Sequence, residues 1–200
     1  MRLNISTKIV GNKVILVPYR ISHVEKYHKW MEDEDLRLQT ASDRLTLHEE
    51  YEMQQTWLND VKKCTFIVLD KETMLETNDE VESMIGDANV YLKDSYDGLV
   101  GEIGLMIAEP KFRGKGMGRE VALLIMRYAV TAIKVKKFEA IVSLNNENSI
   151  KMFNSLNFQE ESKSTFFKEI TLVRQVDEEF TDYLFSNTKE YNELPTEENK

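Results

Sequence analysis

The stretch Val100–Arg119 reads VGEIGLMIAEPKFRGKGMGR. Its apolar first half predicts a strand, and a short link with a proline follows. Three glycines then stand at every second position, at Gly114, Gly116 and Gly118. Beyond them, apolar side chains recur at helical spacing over three turns. The stretch is therefore a strand, a link, a glycine turn and a helix.

The glycine turn has the chemistry of an anion site. Glycine permits positive φ, so backbone N–H groups can turn toward one point, and the next helix adds its N-terminal amides. Residues 111–119 contain no acidic side chain and four basic ones, Lys111, Arg113, Lys115 and Arg119. This local excess of positive charge suits a polyphosphate ligand.

Two other phosphate motifs fit this turn less well. The spacing G-x-G-x-G differs from the dinucleotide fingerprint G-x-G-x-x-G, although Glu139 stands about where that motif has its ribose-binding acid. The pair Gly114-Lys115 lacks the upstream glycine and the Ser/Thr of a Walker loop. A remaining alternative is a plain helix start, in which the glycines serve only the turn.

The beginning of the chain predicts a strand and then a helix. The β-branched run Val14–Val17 predicts the strand. Ser22, with Glu25 three residues later, has the pattern of a capping box for a helix that ends at about Met31. The acidic run Glu32–Asp35 is predicted to be a solvated loop after that helix.

The middle of the chain predicts a second helix and then antiparallel strands. Thr46, followed by Glu49, predicts a capped helix start. Residues 71–82 are polar and predict a surface loop. Turn chemistry at residues 93–98 predicts that the last two strands form a hairpin. The predicted strands are Thr65–Leu69, Met84–Leu92 and Leu99–Ala108.

The remainder of the chain predicts further alternating strands and helices, and its last part is acidic. The pattern predicts a strand at Phe138–Ser143, a helix at Ser149–Leu156, closing strands at Phe158 and Phe166–Arg174, and a short helix at Phe180–Phe185. Residues 177–200 hold eight acidic and two basic side chains. We therefore predict one domain over residues 1–176 and an acidic segment over 177–200, disordered after Thr188.

Composition excludes several classes of protein. The 200 residues carry a formal net charge of −9, which disfavours a general nucleic-acid binder. The single cysteine, Cys64, cannot form an internal disulfide, and we expect it to be a core residue. The three histidines have no metal-ligand spacing, so no metal is expected. No run approaches the ~20 apolar residues of a membrane span, so we expect no membrane association.

Two motifs carry a family resemblance. Arg113-x-x-Gly116-x-Gly118 resembles the acetyl-CoA pyrophosphate loop of the GNAT (Gcn5-related N-acetyltransferase) superfamily. The segment 146–158, N-x-x-S-x-x-x-F-x-x-x-N-F, resembles the strand–helix segment of the same superfamily. The resemblance extends over residues 14–174 and implies a mixed α/β fold, with helices on both faces of a mostly antiparallel sheet that splays around acetyl-CoA.

Further segments resemble a narrower family, the N-acetyltransferase 9-like proteins. They are Met1–Asn4, Val14–Tyr19, Cys64–Asp70 and Met106–Pro110. That family is described as acetylating the N-termini of α- and β-tubulin. The resemblance therefore implies a cytoplasmic, cytoskeleton-associated acyltransferase with tubulin as its protein partner.

The resemblance also implies a set of cofactor-binding residues. The backbone of Met106, Ile107 and Ala108 would pair with the pantetheine arm, and Asn146 would reach the same arm. The pyrophosphate would lie on Arg113, Gly114, Lys115, Gly116, Met117 and Gly118. Ser149 and Phe153 complete the predicted donor site, with acetyl-CoA as co-substrate.

Glu102 is the candidate general base. It lies eleven residues before Arg113, at a distance similar to that of the catalytic glutamate in some GNAT enzymes. By strand alternation it shares a face with Gly104, Met106 and Ala108. A glutamate that simply faces solvent is the alternative. Glu109 is a weaker candidate.

Phe153 departs from the family pattern. Many GNAT enzymes have a tyrosine there that protonates the leaving thiolate, and phenylalanine has no proton to give. Three functions therefore stay open. They are an Nα-acetyltransferase of protein N-termini, an acetyltransferase of a small amine or ribosomal protein, and a partner-binding module with little turnover. The segments 32–41 and 71–82 are the expected acceptor loops.

Overall fold

One sheet dominates the computed structural model, which describes residues 2–196. Within these residues nine strands are present: β1 (Thr7–Val10), β2 (Val14–Pro18), β3 (Lys63–Asp70), β4 (Met84–Ser95), β5 (Gly98–Ile107), β6 (Lys137–Ser143), β7 (Gln159–Ser164), β8 (Glu169–Gln175) and β9 (Asn192–Pro195). Their order across the sheet is β7-β8-β6-β5-β4-β3-β2-β1-β9. The mixed α/β architecture expected from the sequence is therefore confirmed.

Eight α-helices accompany the sheet within the same residues. They are α1 (Val24–Met31), α2 (Glu34–Thr40), α3 (Leu47–Asn59), α4 (Lys71–Thr77), α5 (Glu80–Ser83), α6 (Met117–Tyr128), α7 (Glu147–Ser155) and α8 (Glu178–Asn187). Helix α6 continues as a π-helical turn to Ile133. None of the described helices is long and apolar enough to cross a bilayer.

The only parallel pair among the described strands is β5 with β6, and the two strands separate soon after they meet. Their ladder covers Val100–Glu102 on β5 and Lys137–Glu139 on β6. All other described neighbours are antiparallel, including the predicted β4–β5 hairpin. Beyond residue 102 the β6 side of β5 lies outside this ladder, so the sheet opens in its centre, as expected.

Apolar clusters pack on both faces of the sheet. One cluster includes Phe66, Phe138 and the buried face of α6. The other includes Ile67, Met106 and residues of α1. On β5, Ile103 belongs to the first cluster and Met106 to the second, as the alternation predicts. Helix α6 is buried over most of its length, which explains its strong apolar pattern.

The predicted cap at Ser22 is wrong. Ser22 lies inside a 3₁₀ turn, Ile21–His23, and α1 begins only at Val24. The ring of His23 fixes this turn instead, because its Nδ1 accepts the N–H of Arg20 at 3.1 Å. By contrast, the Thr46–Glu49 capping box at the start of α3 is confirmed.

Two predicted loops contain helices. Asp33 accepts the N–H groups of Asp35 and Leu36, so the acidic run caps α2. Asp70 and Asp79 cap α4 and α5 in the same way, and these two helices occupy most of the segment 71–82. These helices are short and polar, and their capping aspartates are also common in turns. The sequence therefore cannot distinguish them from loops.

The end of the chain is more ordered than predicted. Helix α8 packs against α6 and contributes Phe180 and Leu184 to the core. Strand β9 pairs antiparallel with β1, from Thr7 opposite Pro195 to Val10 opposite Asn192. The predicted disorder after Thr188 is therefore wrong for residues 189–196. Residues 197–200 lie outside the described part of the chain.

Candidate active site

The opening between β5 and β6 leads into a cavity of about 590 Å³. Its walls come from β4, β5, β6, β8, α1, α3, α7 and residues 38–43 and 45. Four of the residues singled out in the sequence line it: Glu102, Asn146, Ser149 and Phe153. The structure therefore brings the β5 and α7 motifs to one site.

The glycine turn has the predicted backbone geometry. Gly114 and Gly116 adopt φ values of +72° and +80°, a region that side chains disfavour. Gly116 is the N-cap of α6, so the free amides of Met117 and Gly118 begin the helix there. A Cβ on Gly114 would meet nothing within 4 Å, so the turn is open on that side.

The start of α6 lies beside β5 and α7. A Cβ on Gly118 would lie 3.8 Å from the side chain of Ile107 and 3.9 Å from the sulfur of Met152. The helix N-terminus is therefore adjacent both to the open strand and to the helix that carries Asn146. This is the juxtaposition that an extended ligand with a phosphate group would require.

The guanidinium of Arg113 bonds to the protein's own backbone. Its Nε donates to the carbonyl oxygen of Ile107 at 2.8 Å, and its Nη2 donates to that of Ala108 at 2.7 Å. These bonds fasten the link to the end of β5. The motif arginine thus has a structural contact that the sequence does not reveal.

The remaining cations of the turn have different partners. Arg119 donates to the hydroxyl of Tyr183 on α8 at 2.6 Å. Lys115 extends over the ring of Phe112. A further cation, Lys13 from the β1–β2 turn, donates to the carbonyl oxygen of Lys115 at 2.9 Å. The sequence does not indicate that Lys13 belongs to this site, because Lys13 is far from the glycine turn in the chain.

The α7 motif is built around its own cap. The side-chain oxygen of Asn146 accepts the N–H of Ser149 at 3.1 Å, which leaves the amide NH₂ able to donate elsewhere. Phe153 is 4% exposed and packs on Phe158 with ring centroids 5.0 Å apart. Its position in the cavity wall is apolar, so it shapes the site without donating a proton.

Glu102 lies in the cavity wall in an ion pair. Its Oε2 is 2.5 Å from Nζ of Lys93, which also lies 3.6 Å from Glu139. The hydrogen bond from Lys93 to Glu102 raises the pKa of this lysine. Glu102 therefore shares a cation with a second carboxylate, at the point where β5 and β6 separate.

A buried polar row on β4 faces the same cavity, and the sequence did not indicate it. Asp87 is 3% exposed and accepts a hydrogen bond from Asn89 Nδ2 at 2.8 Å. Tyr27 on α1 approaches the same carboxylate at 3.4 Å. Burial raises the pKa of Asp87 to about 6, against the opposing effect of these hydrogen bonds and of Lys63.

Lys63 lies behind this row. It is 3% exposed, donates to the hydroxyl of Tyr91 at 2.9 Å and lies over the ring of Trp57. Burial lowers the pKa of Lys63 to about 7, although the charge of Asp87 opposes this effect. The wall of the cavity thus contains a buried carboxylate with a raised pKa, and a buried lysine with a lowered pKa lies behind that wall.

The two predicted acceptor segments differ in position. Leu38, Gln39, Thr40 and Ala41, from the first segment, line the cavity, whereas no residue of 71–82 is among the described residues that line it. Cys64 is fully buried, and burial raises the pKa of its thiol to about 12. It is therefore a core residue, as predicted. Within residues 2–196 no cluster of metal-ligating side chains is present.

Comparisons with known proteins agree with this architecture. A family model described as acetyltransferase (GNAT) domain matches residues 13–159. The alpha/beta-tubulin-N-acetyltransferase 9 of Mus musculus is 47% identical over 197 residues, which cover 98% of this chain and 82% of the mouse chain. The Homo sapiens protein of that name is 46% identical, with coverage of 98% and 96%. An N-acetyltransferase 9-like protein of Nematostella vectensis is 49% identical, with coverage of 86% and 87%.

Solved structures share the fold at low sequence identity. Spermidine N-acetyltransferase from Vibrio cholerae, in complex with CoA and spermine, has a TM-score of 0.69 at 16% identity and covers 82% of this chain and 95% of its own. A protein from Bacillus halodurans has a TM-score of 0.72 at 17% identity, with coverage of 92% and 96%.

A sheet that opens between two strands, beside a glycine turn at a helix N-terminus, defines the GNAT class of acetyltransferases. The family model and the relatives show that this chain belongs to the GNAT acetyltransferase family and, within it, to the N-acetyltransferase 9-like proteins.

Proposed function

We propose that this acetyltransferase moves the acetyl group of acetyl-CoA to the α-amino group of a protein N-terminus, with tubulin as the substrate. One observation carries the donor half of the proposal. The β6 side of β5 opens beyond Glu102, next to a glycine turn whose two left-handed residues, Gly114 and Gly116, precede α6. The acceptor half is supported by relatives whose names contain alpha/beta-tubulin.

The open edge of β5 suits the pantetheine arm. Residues 103–107 lie outside the ladder with β6. Apart from the carbonyl oxygen of Ile107, which accepts from Arg113, their backbone groups on that side can bond an extended ligand. Asn146 faces the opening from α7 and can donate its amide NH₂. The amides of Met117 and Gly118, at the start of α6, would receive the pyrophosphate.

The proposed acceptor is easier to activate than a lysine side chain. An α-amino group has a pKa of about 7.7–8.0, whereas lysine has a pKa of about 10.4. A useful fraction of the α-amino group is therefore neutral near pH 7, so a weak base suffices. Glu102 is the proposed base. Its carboxylate must release Lys93 before it can accept the proton of the amine.

The leaving thiolate needs a proton from a group other than Phe153. Tyr27 and Tyr91 are the two tyrosines among the described residues that line the cavity. Burial raises the pKa of both phenols, which makes them weak acids. We therefore propose that the thiolate leaves without a bound acid and then takes its proton from solvent, because a thiol with a pKa of about 8.5, the value for cysteine, is mostly protonated at neutral pH.

A transfer assay tests the proposal. The native protein would be incubated with labelled acetyl-CoA and peptides that copy candidate N-termini, including those of tubulin, together with spermidine as a small amine. We expect label on peptide N-termini and none on spermidine. Label on spermidine alone would support the small-amine alternative. Acetyl-CoA binding without transfer would support a binding module.

Variants separate the two halves of the proposal. Gly116→Trp places a bulky side chain at a left-handed position of the turn and is expected to abolish acetyl-CoA binding. Glu102→Gln is expected to leave acetyl-CoA binding intact and to lower kcat by about 10²-fold. If Glu102→Gln keeps the native kcat and pH profile, Glu102 is not the base.

A further inference from the structure

Glu50 is a buried carboxylate with an unfilled hydrogen-bonding position. It lies on α3, is 1% exposed and contributes to the cavity wall. Its Oε1 lies 3.8 Å from Nδ1 of His28, whereas its Oε2 has no hydrogen-bond partner within residues 2–196. Burying such an oxygen is unfavourable unless a water molecule or a ligand group completes its bonding.

Asp87 reaches the same cavity from the sheet. Glu50 comes from a helix and Asp87 from β4, so the two carboxylates belong to different walls. Both act on the same two phenols, because their charges add to burial in raising the pKa of Tyr19 and Tyr27. The hydroxyl of Tyr19 is also buried without a partner within the described residues.

We infer that Glu50 and Asp87 form the subsite that receives the ammonium group of the acceptor, before it loses the proton that makes it a nucleophile. This inference rests on the proposed function, because it assigns the residues that hold the proposed substrate. An ammonium group offers three N–H donors and a positive charge. It would therefore fill the free oxygen of Glu50 and pair with a second carboxylate opposite.

Other ligand classes match these walls less well. An anionic ligand would meet two buried carboxylates and be repelled. A neutral donor would fill the oxygen of Glu50 but would not offset the burial that raises the pKa of this carboxyl, which His28 only partly opposes. Lys63 contacts Tyr91 and Trp57 but is not among the lining residues, although its charge acts on Asp87. The cavity face of Asp87 is therefore not occupied by this lysine.

Equilibrium binding to the CoA-loaded protein tests this inference, because CoA without an acetyl group cannot react. The probes would be the peptide that the native protein acetylates best and its des-amino analogue, in which hydrogen replaces the α-amino group. We expect the native protein to bind the free amine at least tenfold more tightly. In Glu50→Gln and Asp87→Asn this preference is expected to fall below threefold.

Matched controls lie on the same two elements. Glu52→Gln removes a carboxylate of α3 that is 68% exposed, and Asp94→Asn removes one of β4 that is 80% exposed. Both controls are expected to keep the native preference. If Glu50→Gln and Asp87→Asn also keep it, or if the native protein shows no preference while it still acetylates the peptide, the inference is wrong.

Thermal stability separates a ligand-binding role from a structural one. If Glu50 serves the ligand, Glu50→Gln removes a buried carboxylate whose Oε2 has no partner in the described part of the fold, and it leaves Tm unchanged or raises it. If Glu50 serves the fold, the same change lowers Tm together with peptide binding, which would overturn the inference. Failure of the proposed function has a different signature, because the native protein would then acetylate no peptide in the transfer assay.

Discussion

Arg113 donates from Nε to the carbonyl oxygen of Ile107 at 2.8 Å, and this bond joins the loop motif to the strand motif. A second bond from the same guanidinium, to Ala108, secures the strand end. Arginine presents several donors in a fixed planar arrangement, so one side chain can hold two neighbouring carbonyl groups. The arginine therefore positions the strand edge and the glycine turn relative to each other.

Loss of this clamp is expected to weaken donor binding. Arg113→Gln removes the charged double contact, so both the strand edge and the turn lose their alignment. We expect the Kd for acetyl-CoA, measured by titration calorimetry, to rise at least tenfold. Lys29→Gln, an exposed change on α1, is the control. An unchanged Kd in Arg113→Gln would contradict the role of the clamp.

The two helix-start glycines are expected to differ in their tolerance of alanine. Gly116 has φ +80°, so Gly116→Ala is expected to lower the free energy of unfolding by about 1–2 kcal/mol. Gly118 has no positive φ, and its added Cβ would meet neighbours only at ordinary contact distances of 3.8–3.9 Å. Gly118→Ala should therefore change stability by less than about 0.5 kcal/mol. Urea denaturation compares the pair, and equal effects would contradict the assignment.

Lys63 is expected to make stability depend on pH. Burial lowers its pKa to about 7 in the folded protein, whereas the unfolded chain has a lysine pKa of about 10.4. Between these values the unfolded state binds one more proton, so stability rises with pH. The variant Lys63→Met lacks this lysine and therefore its contribution to the pH dependence of stability. The stability of the native protein relative to Lys63→Met should therefore increase by at least about 1 kcal/mol from pH 7 to pH 9.

Urea denaturation at the two pH values provides that measurement. The comparison with Lys63→Met cancels the contributions of groups that titrate in both proteins. Lys62→Met is a neighbouring control, because Lys62 is 62% exposed and pairs with Asp94. A native protein whose stability relative to Lys63→Met does not change, or decreases, over this range would show that the lysine is charged in the fold.

The capping box of α3 is expected to support both stability and acceptor binding. Thr46 Oγ1 accepts the N–H of Glu49, and Glu49 accepts the N–H of Thr46 in return. Thr46→Ala is expected to cost about 1 kcal/mol of unfolding free energy. Because α3 carries Glu50, the peptide KM should rise as well. Thr56→Ala, later in the same helix, is the control, and equal losses in both variants would contradict the prediction.

Local patterns explain which parts of the fold were predictable. The β4–β5 hairpin, helix α6 and the Thr46 cap each depend on neighbours in the chain, so their residues specify them directly. Helices α2, α4 and α5 were missed because their first turns rest on Asp33, Asp70 and Asp79, residues that also favour loops. Strand β9 was missed because its partner, β1, lies at the other end of the chain.

The candidate site divides along the same line. The glycine turn and the α7 motif are contiguous in sequence, so they could be found and placed. Glu50 and Asp87 become candidate site residues only because packing between α1, α3 and β4 buries them beside one cavity. A glutamate in a helix and an aspartate in a strand carry no spacing signal. Lys13 is similar, because folding alone brings it to the glycine turn.

The proposed reaction is transfer of acetyl to an α-amino group. The most direct measurement is tandem mass spectrometry of a peptide that has both a free N-terminus and a lysine, after incubation with labelled acetyl-CoA and the native protein. We expect label on the α-nitrogen and an unmodified lysine. Label on the lysine side chain alone, or no label on any peptide that copies a tubulin N-terminus, would contradict it.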